Sequence, residues 1–149
     1  MDLVDILLIE DNNHDIEEIV DVLNEQNSGA KLIPLKDGVE AIDYFFGPQG
    51  SLHAATAKLP KLILLDLKLP KISGLEVLKR LKSDERTRHI PVVVLTSSSE
   101  LSDRSESYLL GANSYIVKPL NADQFSQFAS DIIFYWLKMN KTVYSENQY

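Results

Sequence analysis

Apolar residues in this chain gather in short runs that alternate with stretches of helical spacing. Ile6-Leu7-Leu8-Ile9, Leu62-Ile63-Leu64-Leu65 and Ile90-Pro91-Val92-Val93-Val94-Leu95 are apolar throughout. Runs this short, without polar alternation, predict strands buried on both faces of a parallel sheet. Ala30 to Leu35 is a weaker strand, placed at an edge because Pro34 cannot donate to a ladder. Ser114-Tyr115-Ile116-Val117 is the last. Between the strands, Ile16, Ile19, Val20 and Leu23 lie at i, i+3, i+4 and i+7, one apolar helical face capped by Asn12 or Asn13. A second helix gathers Val39, Ala41, Ile42, Phe45 and Phe46 after Asp37-Gly38. A third gathers Leu75, Val77, Leu78 and Leu81 after Ser73-Gly74. The fourth, Ser102 to Leu110, carries few apolar residues. The last starts at the cap Asn121 and runs to about Met139, with Phe125, Phe128, Ala129, Ile132 and Trp136 as its inward stripe.

Alternating strand and helix patterns point to an α/β fold, a parallel sheet with helices on both faces. Right-handed crossovers favour a three-layer flavodoxin-like sandwich of five strands in the order 2-1-3-4-5. With no internal repeat or linker, residues 1–140 are expected to form one domain, and residues 141–149 a polar, frayed tail. Two segments stand outside the alternation. Ser83 to His89 is charged and reads as solvated. Gly47 to Leu59 is a long connection, either functional or a tolerated surface insertion.

Composition narrows the function. The formal net charge is -7, from 22 acids against 15 bases, which disfavours a nucleic-acid surface. There is no cysteine for disulfides or thiolate metal sites, and His14, His53 and His89 lack ligand spacing. No apolar run approaches the ~20 residues needed to cross a bilayer. Met1 to Asp5 has no basic signal segment, so a cytoplasmic protein without membrane contact is expected.

The chemistry lies where the strands stop. The first ends on Glu10-Asp11, the third on Asp66, the fourth on Thr96 and the fifth on Lys118. In the expected order the first and third strands are neighbours, so their acids meet at the sheet's carboxyl edge, where open α/β sheets bind ligands. Clustered carboxylates repel and raise one another's pKa, which calls for a cation. With oxygen ligands alone and an open edge, Mg²⁺ is the sensible choice. A hydroxyl and an ammonium from the next two strands suit a phosphoryl group, and Asp66, nearest the middle, suits an aspartyl nucleophile.

These residues resemble the receiver domain of two-component response regulators, of the CheY-like type. The resemblance is carried by Glu10-Asp11, by Asp66 in Leu65-Asp66-Leu67-Lys68-Leu69-Pro70, by Gly74 and Thr96, and by Tyr115-Ile116-Val117-Lys118-Pro119. It implies that Asp66 is the phosphoacceptor. Asp11 and Asp66 would bind Mg²⁺ with the backbone carbonyl of Lys68, and Glu10 would act through a coordinated water. Thr96 and Lys118 would hold phosphoryl oxygens, with Tyr115 as the aromatic switch. It also implies a cis peptide between Lys118 and Pro119, and a histidine kinase as phosphodonor. Glu10-Asp11 departs from the commonest Asp-Asp pair. Lys68 and Ser98 occupy the two positions that tune hydrolysis in the family, and a cation at Lys68 predicts slow dephosphorylation. Phe45-Phe46-Gly47, the long connection, and Lys82 to Val92 are similar to the small stand-alone regulators associated with cyanobacterial and bacterial phytochromes.

Phe134 and Tyr135 widen the apolar arc of the last helix beyond what one core can bury. They predict a homodimer through the face of the fourth helix, fifth strand and fifth helix. Nothing after Met139 has the length of an effector domain, so output through protein contacts is expected. A hydrolase of the haloacid-dehalogenase kind resembles Asp-x-Asp, and here the second position is Lys68. No Gly-x-Gly-x-x-Gly or phosphate loop supports a nucleotide-binding reading.

Overall fold

The structure is a computed structural model that describes residues 4–53 and 59–142. The strands are β1 (Ile6–Ile9), β2 (Leu32–Leu35), β3 (Leu62–Leu65), β4 (Val92–Thr96) and β5 (Ser114–Val117). The helices are α1 (Asn13–Glu25), α2 (Gly38–Phe46), α3 (Gly74–Ser83), α4 (Leu101–Leu109) and α5 (Ala122–Phe134). All strands pair in parallel, in the order β2-β1-β3-β4-β5, so the expected fold is the one observed. Pro34 sits in the edge strand β2, where a missing donor costs least.

The apolar runs divide by period two, as a sheet covered on both faces requires. Ile6, Leu8, Leu62, Leu64, Val93 and Leu95 meet Ile16, Ile19, Val22 and Leu23 of α1 and Phe125, Ala129, Ile132 and Ile133 of α5. Leu7, Ile9, Ile63, Leu65, Val92 and Val94 meet Ala41 and Phe45 of α2 and Val77, Leu78 and Leu81 of α3. Helix starts are set locally. Asn12, Asp37, Ser73 and Asn121 each accept the backbone N–H three residues on, the usual way to satisfy a free helix donor. Helix α4 begins at Glu100 without such a cap.

Some positions differ from the sequence pattern. Val22 rather than Val20 completes the buried face of α1, with Val20 only packed against its margin. Phe128 is 42% exposed, because it falls at the edge of the arc that Phe125, Ala129 and Ile132 turn inward. In the charged segment after α3, Thr87 is fully buried, and its hydroxyl donates to Leu81 O at 2.7 Å. The last helix does reach Met139, but Tyr135–Met139 is a single π turn closed by Asn140 N–H on Tyr135 O at 2.7 Å. In the long connection, Ser51–His53 form one 3₁₀ turn. Residues 54–58 of that connection and 143–149 of the polar tail lie outside the described residues.

Candidate functional site

Strand register assembles the site. Ile9 of β1 pairs with Leu65 of β3, so Glu10 and Asp66, the next residue on each strand, emerge side by side. Asp66 N–H donates to Ile9 O at 3.0 Å, holding the two strand ends together. On the other side, Thr96 pairs with Val117, which brings Lys118 to the same edge. The β3–α3 loop folds back closely. A Cβ on Gly74 would stand 2.2 Å from Asp66 O and 2.5 Å from Leu67 Cα, so only glycine fits there.

Carboxylate oxygens of Glu10, Asp11 and Asp66 all lie within 4.8 Å of one another. Glu10 and Asp66 are buried and Asp11 is exposed, so the cluster opens to water on one side. Lys118 Nζ donates to Glu10 Oε1, to Asp15 Oδ2 at 2.9 Å and to Asp66 Oδ2 at 3.1 Å. An ammonium has three N–H groups, and here each has a carboxylate. Asp66 Oδ1 accepts the Lys68 backbone N–H at 3.3 Å, and Glu10 Oε2 accepts that of Asn12 at 3.2 Å.

The electrostatics follow from burial and crowding. Burial, and then the Asp66 charge, push Glu10 up to about 7 against the opposing pull of Lys118 and the Asn12 N–H. Burial acts to lower Lys118, but Glu10, Asp15 and Asp66 outweigh it and raise the ammonium above its ordinary value. Glu10, Asp15 and Asp66 thus share a single ammonium, and Asp11 adds a fourth carboxylate beside Glu10 and Asp66, so acids outnumber the cation at this edge. An all-oxygen donor set with one exposed ligand fits a hard divalent cation that keeps some of its water.

Beyond the acids, the β4–α4 loop is tied down by side chains. Thr96 is fully buried, and its hydroxyl accepts the Ser98 N–H at 3.4 Å. Ser98 Oγ donates to Asp103 Oδ2 at 2.6 Å, and Tyr115 Oη donates to Ser98 O at 2.9 Å. The Ser98–Asp103 bond fastens the first turn of α4, the helix that lacks a cap.

The structure brings the predicted Glu10, Asp11, Asp66, Thr96 and Lys118 to one edge, and it sets Tyr115 one hydrogen bond away through Ser98. The Lys68 side chain is exposed, and its backbone borders Asp66. Phe134 and Tyr135, 53% and 45% exposed, belong to the far end of α5 and to no part of this cluster. The cis peptide expected before Pro119 is not there, since no described peptide bond is cis. Trans is the cheaper X-Pro isomer, and the long lysine stem reaches the acids from it. Asp15 was missed. Its only signal was its place in the first turn of α1, just after the Asn12 cap.

A doubly wound sheet with clustered acids and one ammonium at its carboxyl edge defines a cation-accepting signalling module of the receiver type. The chain belongs to the response regulator receiver domain family, which it matches over residues 6–130. It is 39% identical over 138 residues to the probable methanogenesis regulatory protein FilR2 of Methanothrix harundinacea, covering 92% of this chain and 86% of that one. To the response regulator Rcp1 of Synechocystis it is 38% identical over 133 residues, covering 89% and 88%. The phosphorylated cyanobacterial phytochrome response regulator RcpA superposes with a TM-score of 0.86 at 39% identity, covering 95% of this chain and 99% of RcpA. The Mn²⁺-bound form of Rcp1 superposes at 0.83 and 37% identity, covering 92% and 96%.

Proposed function

We propose that the chain is a stand-alone response regulator that takes a phosphoryl group from a histidine kinase onto Asp66. The observation that carries this is the carboxylate cluster of Glu10, Asp11 and Asp66 with the Lys118 ammonium bonded into it. Glu10, Asp11, Asp66 and the Lys68 backbone carbonyl would hold Mg²⁺, whose bound charge would neutralise phosphoryl oxygens during transfer. An Asp66 carboxylate oxygen forms the new O–P bond as the P–N bond of a phosphohistidine breaks, and the electron pair returns to the imidazole nitrogen. Lys118 then exchanges Asp66 Oδ2 for a phosphoryl oxygen, and the Thr96 hydroxyl leaves the Ser98 N–H to donate to another. Loss of that bond loosens the Ser98 loop on which Tyr115 rests, which gives the switch a route from phosphorylation to the α4-β5-α5 face. The domain's own chemistry ends with its phosphorylation and a slow hydrolysis, slowed by the Lys68 cation.

Similarity to Rcp1 and RcpA favours a phytochrome-type kinase as the donor. A regulator unconnected with light, a phosphorelay intermediate or chemotaxis-type receiver, is the second reading, and the FilR2 similarity favours it. Residues 1–140 act as the one domain, in the cytoplasm, with residues 141–149 as its tail. Tyr135, which borders Asn113, Ser114 and Ile116, would anchor a homodimer contact on the α4-β5-α5 face, whereas Phe134 turns towards Gln26 and Ser28 beside α1; a charged replacement at Tyr135 should give a folded monomer by sedimentation.

Incubation with acetyl phosphate and Mg²⁺, followed by intact mass measurement, tests the reading. Wild-type chain should hold one phosphoryl group per molecule and Asp66→Asn none. Continuous turnover of the donor, or labelling retained in Asp66→Asn, overturns it. A transfer profile against purified histidine kinases then separates the light-linked from the unlinked alternative.

A further inference from the structure

We propose that Asp15 is a positioning residue for Lys118, holding the ammonium so that it and a divalent cation can occupy one sheet edge without contending for the same oxygens. The inference rests on the receiver reading above and extends it to a residue outside the Glu10, Asp11 and Asp66 cluster.

Asp15 is placed by local structure. The Asn12 side chain accepts its N–H at 3.0 Å, which fixes it in the first turn of α1. Its Oδ2 stands 2.9 Å from Lys118 Nζ, nearer than the 3.1 Å to Asp66 Oδ2. Both side chains are sheltered, at 10% exposure for Lys118 and 21% for Asp15, so bulk water is a poor substitute for either partner. Among the described residues, the set of acids close enough to share an ion does not include Asp15. It touches the ammonium and stands outside the Glu10, Asp11 and Asp66 cluster.

The consequence follows from counting partners. Of the three carboxylates that hold Lys118, Glu10 and Asp66 are the ones a divalent cation draws on. Asp15 is then the partner the ammonium keeps. Without it, Lys118 has only the oxygens the cation needs, and it competes for them directly.

A double-mutant cycle in the full chain tests this, with Mg²⁺ alone titrated by calorimetry into wild type, Asp15→Asn, Lys118→Ala and the double variant. Asp15→Asn should weaken Mg²⁺ binding about tenfold when Lys118 is present and change it little when Lys118 is absent. An equal loss in both backgrounds means that Asp15 acts only as a distant charge, and it overturns the proposal, as does an unchanged affinity in Asp15→Asn. The ¹⁵N resonance of the Lys118 ammonium, recorded without metal, is the second measurement, with Asp15→Ser as a second variant. Either substitution should shift and broaden it, and an unmoved signal overturns the proposal. Failure of wild type to bind Mg²⁺ would instead overturn the receiver reading, and this inference with it.

Discussion

Two sheltered lysines mark opposite ends of the sheet, and they are held in opposite ways. Lys118 follows β5 at the carboxyl edge and is surrounded by charge, its three donors on Glu10, Asp15 and Asp66. Lys82 lies at the end of α3 near the amino edge and is surrounded by dipoles. Its Nζ donates to Arg88 O and Ile90 O at 2.8 Å each, and to Asn113 Oδ1 at 3.1 Å. The same Asn113 oxygen accepts the Val92 N–H at 2.9 Å, so one ammonium joins α3, the start of β4 and the approach to β5. Gly111 packs on its stem, where a Cβ would stand 3.0 Å from Lys82 Cγ. Carboxylates raise Lys118, whereas burial lowers Lys82 to about 8. Neutral acceptors brace a charge but give it nowhere else to go. Acidic acceptors can be shared with another cation, so one edge is open to further positive charge and the other is a clamp.

The sharpest way to break this contrast is to delete Lys118. Lys118→Ala leaves Glu10 and Asp66 without their counter-ion and should cost about 3 kcal/mol of stability in metal-free buffer. Mg²⁺ should restore most of it, because a cation can take the vacated role. Urea unfolding with and without Mg²⁺ measures both, and a loss that Mg²⁺ cannot relieve would mean that the acids do not bind it.

Lys82→Met is the matching deletion at the other edge. It leaves the Arg88 and Ile90 carbonyls without their lysine donor and Asn113 Oδ1 with the Val92 N–H alone, and should cost about 1–3 kcal/mol. Here Mg²⁺ affinity by calorimetry should stay at the wild-type value, and any change would show that the two edges are coupled.

The smallest effect is in pH dependence. Lys82 has a folded pKa of about 8 against an ordinary 10.5, so between those values the unfolded chain holds a proton that the folded chain has released. Stability of wild type relative to Lys82→Met should therefore rise as pH increases from 8 towards 10.5. Urea midpoints of the two proteins across that window check the sign. Lys118 is shifted the other way, so its contribution is complete below 10.5 and is lost only at higher pH.

How legible each feature was depends on the distance its cause acts over. Asn12 and Asn121 were recognisable as caps because a short polar side chain bonds an N–H three residues away, and the structure adds Asp37 and Ser73 in the same role. The candidate site was legible because each member sits directly after an apolar run, and parallel pairing carries such positions to a common edge. Asp15 was not, because its partner Lys118 is 103 residues away. Lys82 reads in the sequence as one more base on an amphipathic helix, and Thr87 as part of a solvated stretch. The Ser98–Asp103 bond likewise needed the β4–α4 loop to be folded before it could be seen.

By itself, then, the order of apolar runs and turn residues determined the sheet, its strand order and the residues delivered to its carboxyl edge, since backbone pairing and burial on both faces admit few alternatives. Only tertiary structure decided which acids share the Lys118 ammonium, which valine of α1 faces the core, and that Phe128 is left half exposed. Those outcomes depend on how helices rotate and pack against the sheet, a matter of side chains meeting across long stretches of chain that no local pattern records.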